Sequence, residues 1–278
     1  MSDSTVNLHR WGVTPSEDAG TILKRDLEAR INSGDWPPGF KLPGERALAA
    51  QFNVSRAAVR EVLQTLAVQG YLQISPARGA FVRRPDGRVL SGALSQLLRN
   101  HGATVRDVVE ARDLLETEIT GRAAGNCGGD VIEHLADLAE LVDSGSDRLE
   151  QAITDLKFHS LLCVGVGNPV LTAMHRSIAP YVLFMTLRRD RTHEPTGAMH
   201  SQIVEAIRAG NAEKSRTLSR AHLDATKLYF GDDFDRPVEE VAAENLRRIS
   251  GGFWTLEDVV QQAFTELDAV LPTTDKDV

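Results

Sequence analysis

Residues 43–81, PGERALAAQFNVSRAAVREVLQTLAVQGYLQISPARGAF, constrain what this chain can fold into more than any other stretch. Ser55 is a preferred N-cap type, so Arg56 opens a helix. From there Val59, Leu63 and Leu66 recur at helical spacing and give one buried stripe. Gly70 stops that helix where a left-handed residue is needed. Upstream, residues 45–52 form a shorter helix with Leu48 and Phe52 inward and Arg46 outward. Downstream, 71–74 and 80–82 are strand-like runs around the turn SPARG, which has Arg78 at its tip. Arg56 and Arg60 lie one helical turn apart, on a face away from most of the apolar stripe. Arginine can grip phosphate and read guanine bidentately, so two on the opening turns of a helix suit DNA. Two short helices followed by a hairpin make a winged helix-turn-helix.

A net charge of −8 argues at first against a nucleic-acid partner. Its distribution reverses that argument. Residues 1–84 carry 11 Lys and Arg against 8 Asp and Glu, residues 85–230 carry 16 against 19, and residues 231–278 carry 4 against 12. The basic excess lies with the DNA-type motif, and the acidic tail alone accounts for the net charge. With 278 residues and 42% hydrophobic content, two domains with sizeable cores are expected. No apolar run approaches the ~20 residues of a membrane span, and the first residues lack a signal peptide's apolar stretch. Cys127 and Cys163, both in helix-like surroundings, suggest no disulfide framework and fit a reducing cytosol.

A first helix is expected over about 17–33, with Leu23, Leu27 and Ile31 inward, ended by Gly34 and a proline-rich loop. After the wing, RRPDGR reads as a linker, so the boundaries are 1–84 for the head, 85–89 for the linker and 90–230 for a second domain. From Leu90 to Phe230 seven helices with short connections make an all-α bundle. The tail, 231–278, carries two amphipathic stretches, 238–249 and 256–271, that suit packing on the bundle, on a second subunit or on another protein. The fold class is mainly α: a winged helix-turn-helix followed by an all-α helical bundle.

Within the bundle, Asp155 and His159 stand one helical turn apart and can face one ion. His200 and His222 come from two later helices, each among inward-facing apolar residues. Imidazoles with one carboxylate suit zinc, nickel, manganese or iron. His9, His101 and His193 read as preceding the folded region or lying in loops, and His134 and His175 as surface or cap residues. Arg112 can pair with Glu116 or Asp113 on the helix surface. Arg188, Arg189 and Arg191 read as a solvated helix end.

The head resembles the DNA-binding domain of GntR-type bacterial transcription regulators. Leu42, Pro43, Glu45, Arg46, Leu48 and Ala49 match the start of its pattern. Val54, Ser55, Arg56, Val59, Arg60, Glu61 and Leu63 match the middle, and Gly79, Phe81 and Val82 the end. Gly44 departs from it, standing where serine is usual, at a cost of only a few tenths of a kcal/mol. The resemblance places Arg46, Arg56, Arg60 and Gly79 at the DNA, joined by Ser55 at the helix start and Arg78 at the wing tip.

Asp155, Phe158 and His159, then Gly167, Asn168, Pro169 and Leu171, then His200, Ile203 and Ile207, then His222 resemble the FCD effector domain. That all-helical domain accompanies the GntR head in the FadR-like subfamily. The resemblance implies a divalent metal, zinc first, on Asp155, His159, His200 and His222. It also implies Arg112 as the partner of an effector's carboxylate. Members without these ligands bind fatty-acyl compounds, which this ligand set disfavours. The expected function is a DNA-binding repressor, homodimeric and cytoplasmic, that answers to a small carboxylate or hydroxy acid. A metal-dependent enzyme with a DNA-binding head is the alternative, but no general base, phosphate loop or nucleophile motif supports it. The chain is too short for an aminotransferase-like partner and too helical for a β-rich sugar-binding one.

Overall fold

The computed structural model describes residues 18–83, 88–144, 148–186, 199–227 and 230–251. The chain divides into two compact units, 1–85 and 86–278.

In the first unit, α1 (Ala19–Asn32) is capped by Asp18, whose side chain accepts from the Thr21 amide. Next come α2 (Glu45–Phe52) and α3 (Arg56–Val68). Asn53 closes α2 in the left-handed conformation at φ 53°, and Ser55 caps α3 by accepting from the Ala58 amide. Gly44 caps α2 without a side-chain bond, consistent with the small cost expected of glycine there. Strands β1 (Leu72–Ser75) and β2 (Gly79–Val82) pair antiparallel, with Leu72 opposite Val82 and Ser75 opposite Gly79. Gly79 has φ +108°, which explains glycine at the exit of the wing turn. Leu23, Leu27, Leu48, Val59, Leu63, Leu66 and Leu72 share one core. Leu66 is fully buried, so Leu66→Ala is expected to destabilise this unit by about 2–5 kcal/mol. Urea denaturation followed by circular dichroism checks this.

The second unit is helical throughout its described residues. Its elements are α4 (Arg88–His101), α5 (Val105–Asn126), α6 (Gly129–Ser144), α7 (Arg148–Gly165), α8 (Pro169–Thr186), α9 (Met199–Arg208), α10 (Ala212–Lys227) and α11 (Val238–Ser250). The main core brings together Ile119 of α5, Leu135 and Ala139 of α6, Phe158, Leu161 and Leu162 of α7, and Ile203 and Ile207 of α9. At Gly121 of α5, a Cβ would run into the Arg216 side chain of α10, which would have to shift.

The first tail helix, α11, packs on the bundle. Val238 and Val241 join Val105, Val108, Val109, Tyr181 and Phe230 in a second core. The segment before α11 also serves α5. Carbonyls of Phe234 and Arg236 accept from the amides of Arg106 and Val105, donors that an α-helix cannot satisfy internally. The second amphipathic stretch of the tail, 256–271, lies outside the described residues, as do Arg188, Arg189, Arg191, His9 and His193. His101 closes α4 rather than lying in a loop.

Candidate functional site

In the head, Arg46, Arg56, Arg60 and Arg78 are all exposed. Glu45 organises two of them. Arg60 donates through Nε and Nη2 to the two Glu45 oxygens at 2.9 and 2.8 Å, and the Arg56 guanidinium lies 3.7 Å away. This carboxylate therefore ties α2 to the opening turns of α3 and pre-orders the Arg60 fork. Arg78 sits on the wing with its guanidinium over the Phe81 ring, 5.7 Å from the centroid, beside Gly79. The Glu45–Arg60 link joins residues 15 apart, a spacing that no helical period reveals.

In the helical unit, α7 brings Asp155 and His159, α9 brings His200 and α10 brings His222 into one buried cluster. One donor atom from each lies within 4.8 Å of the others. His200 Nε2 is 3.0 Å and His159 Nε2 3.7 Å from Asp155 Oδ1. Ring centroids of His200 and His222 are 4.4 Å apart, those of His159 and His222 5.5 Å. Phe158 stands edge-on to both His159 and His200 and supplies an apolar wall. Among the described residues, His159 Nε2, both ring nitrogens of His222 and Asp155 Oδ2 have no hydrogen-bond partner. Buried polar atoms are normally paired, so four inward donor groups with this many unpaired atoms fit a cation.

Electrostatics leave Asp155 and His222 ready to ligate, while His200 must first give up a proton. Burial and the neighbouring His200 and His159 hold His222 well below the ordinary imidazole range, hence neutral. Burial works to raise Asp155, but His159 and His200 outweigh it and hold the carboxyl well below its usual range. Burial likewise opposes charge on His200, yet Asp143 and Asp155 raise it to about 9.

Arg112 is buried, not on the helix surface. Its Nε donates to Glu116 Oε1 at 2.9 Å, and Nη2 approaches Asp155 Oδ2 at 3.8 Å without a hydrogen bond. Glu116 is the centre of this network: His175 Nε2 lies 3.2 Å from Oε1 and His159 Nδ1 3.1 Å from Oε2. Burial alone would raise Glu116; Arg112, His159 and His175 outweigh it and keep the carboxyl charged. His175 is fully buried, which corrects its reading as a surface or cap residue. Its helix is apolar on nearly every side, so periodicity marks no polar face. His134 is exposed and bonds within its own helix, to Asp130 O.

Models of two protein families match the chain: the bacterial regulatory proteins of the gntR family over residues 21–82 and the FCD domain over residues 107–225. The chain thus carries a gntR-type head followed by an FCD domain. Among curated proteins, the chain is similar to the HTH-type transcriptional repressor NanR of Escherichia coli, 28% identical over 213 residues, which is 73% of this chain and 81% of that protein. The NanR of Shigella dysenteriae is 29% identical over 222 residues, 76% of this chain and 84% of the relative. Among solved structures, Streptococcus agalactiae GntR shares the fold with a TM-score of 0.59 at 22% identity, covering 75% of this chain and 99% of that one. These relatives are transcription regulators and not enzymes with a DNA-binding head. No described helix is long and apolar enough to cross a membrane.

Proposed function

We propose that this regulator is a homodimeric repressor whose helical unit holds one divalent metal and releases operator DNA when a small carboxylate or hydroxy acid binds. The observation that carries the metal is the buried convergence of Asp155, His159, His200 and His222 with unpaired donor atoms. Three imidazoles and a carboxylate favour zinc, with nickel, manganese or iron also suited. When bound, such an ion offers open coordination positions to an acid's oxygens. Arg112 supports the acid: its Nη2 is buried, makes no hydrogen bond among the described residues and lies 3.8 Å from Asp155 Oδ2. A guanidinium already anchored by Glu116 can receive a carboxylate at little ordering cost.

Arg46, Ser55, Arg56, Arg60, Arg78 and Gly79 form the DNA-facing set of the head. A single head offers few phosphate contacts, whereas two-fold pairing matches a palindromic operator. Repression is favoured because the relatives named above are repressors. Release requires an acid that binds the DNA-free arrangement more tightly than the DNA-bound one. A thermal-shift screen of metabolic acids on zinc-loaded protein, followed by gel shifts with each hit, tests the reading. The expected hit raises the melting temperature, weakens DNA binding and loses both effects in Arg112→Ala. An acid that binds equally well after Arg112→Ala and metal removal would defeat the pocket assignment.

Metal affinity carries a pH signature. Imidazole binds metal as the neutral ring, so protons compete. His200, raised to about 9 without metal, gives up a proton on binding. Apparent zinc affinity is therefore expected to fall steadily as pH drops from about 8 to about 5.5. Competition with a chelator of known pH dependence measures it, and a flat profile would contradict the ligand set.

A further inference from the structure

Asp143, in the last turn of α6, is not a member of the ligand set, yet its side chain is only 11% exposed and both oxygens are engaged. His200 donates from Nδ1 to Asp143 Oδ1 at 2.9 Å. The other oxygen, Oδ2, accepts from the Ser201 amide at 3.1 Å and from the Ser201 hydroxyl at 2.8 Å. Ser201 lies in the first turn of α9, where backbone N–H groups have no partner within the helix. One carboxylate from α6 thus caps α9 and grips the histidine that α9 presents.

We propose that Asp143 is a positioning residue for the metal centre. By accepting at Nδ1 it leaves Nε2, 3.0 Å from Asp155 Oδ1, as the nitrogen that faces the cluster and becomes the ligand once its proton leaves. The inference rests on the metal reading of that cluster. A ring whose outer nitrogen is held by a carboxylate keeps its orientation and gains basicity as a ligand. The three histidines differ in this respect. His159 Nδ1 lies 3.1 Å from Glu116 Oε2 without hydrogen-bond alignment. His222 has no hydrogen-bond partner at either ring nitrogen among the described residues. His200 is the ring held at both nitrogens, by Asp143 at Nδ1 and by Asp155 at Nε2; when a cation takes Nε2, Asp143 is the contact that keeps the orientation.

The test is zinc titration of the full chain against a competing chelator, with imidazole nitrogen spectra of the zinc-loaded protein. Asp143→Ala is expected to bind zinc about 10–100-fold more weakly and to lose the single Nδ1-protonated signal of His200. Asp143→Asn, whose amide oxygen still accepts from the ring, recovers part of the affinity. Ser201→Ala removes a bond of the helix cap and leaves the ring contact, so it lowers the melting temperature with zinc affinity near wild type. Wild-type affinity in Asp143→Ala, or an equal loss in Ser201→Ala, would overturn the proposal. A wild-type chain that takes up no zinc would remove the metal reading together with this inference, whereas wild-type uptake with an unaffected Asp143→Ala removes this inference alone.

Discussion

Replacing Glu116 by alanine is expected to destabilise the helical unit by about 3–5 kcal/mol. Three cationic or imidazole partners converge on this one carboxylate: Arg112 at 2.9 Å, His159 at 3.1 Å and His175 at 3.2 Å. All four side chains are nearly inaccessible to solvent. Removing the carboxylate leaves the Arg112 charge buried with only the longer approach to Asp155. Breaking a buried pair costs far more than a surface pair because the stranded charge stays desolvated. For a unit of this size each kcal/mol shifts the melting temperature by roughly 2–4 °C, so a fall on the order of 10 °C is expected. Glu116→Gln keeps shape and acceptor oxygen and falls between the two. The carboxyl is depressed in the folded state, so its contribution is full above the ordinary glutamate range of about 4.3. It fades as pH drops below that range. Calorimetry of metal-free protein at neutral pH decides the matter; a shift smaller than about 2 °C would mean that the network is not the anchor described.

Arg56→Ala and Arg60→Ala are each expected to weaken operator binding by about 1–3 kcal/mol per contact and to relax sequence preference. In a dimer both heads lose the same contact, so the combined loss can approach twice that. The two arginines should differ. Arg60 is held by both oxygens of Glu45, while Arg56 is only approached at 3.7 Å and is 66% exposed. Glu45→Ala should therefore weaken binding through Arg60 by loosening its fork, and should add little once Arg60 is alanine. A double-mutant cycle by gel shift at fixed salt measures that coupling. Unchanged affinity in both arginine variants would remove the recognition-helix assignment.

The head is legible in the sequence because its signals are local. Ser55, Gly70 and the Val59–Leu63–Leu66 stripe act within a turn or two of themselves, and the structure places them as caps and core. The seven bundle helices are legible for the same reason. The cluster of Asp155, His159, His200 and His222 is legible only through the order of motifs along the chain, since its members come from three helices. What surrounds the cluster is not legible. Arg112 and Glu116 look like an ordinary exposed pair one turn apart, because their burial depends on α7 and α8 closing over them. His175 sits in a helix that is apolar nearly all round. Asp143 stands in a polar run at a helix end, where a carboxylate facing solvent is the usual outcome. Only the approach of α9 turns it inward.

Metal content of the full chain, purified without chelator and measured by elemental mass spectrometry beside Asp155→Ala and His222→Ala, decides whether the buried cluster is a metal centre. The expected result is about one divalent ion per wild-type chain and almost none in either variant. A wild-type chain free of divalent metal, or variants that keep the ion, would contradict it.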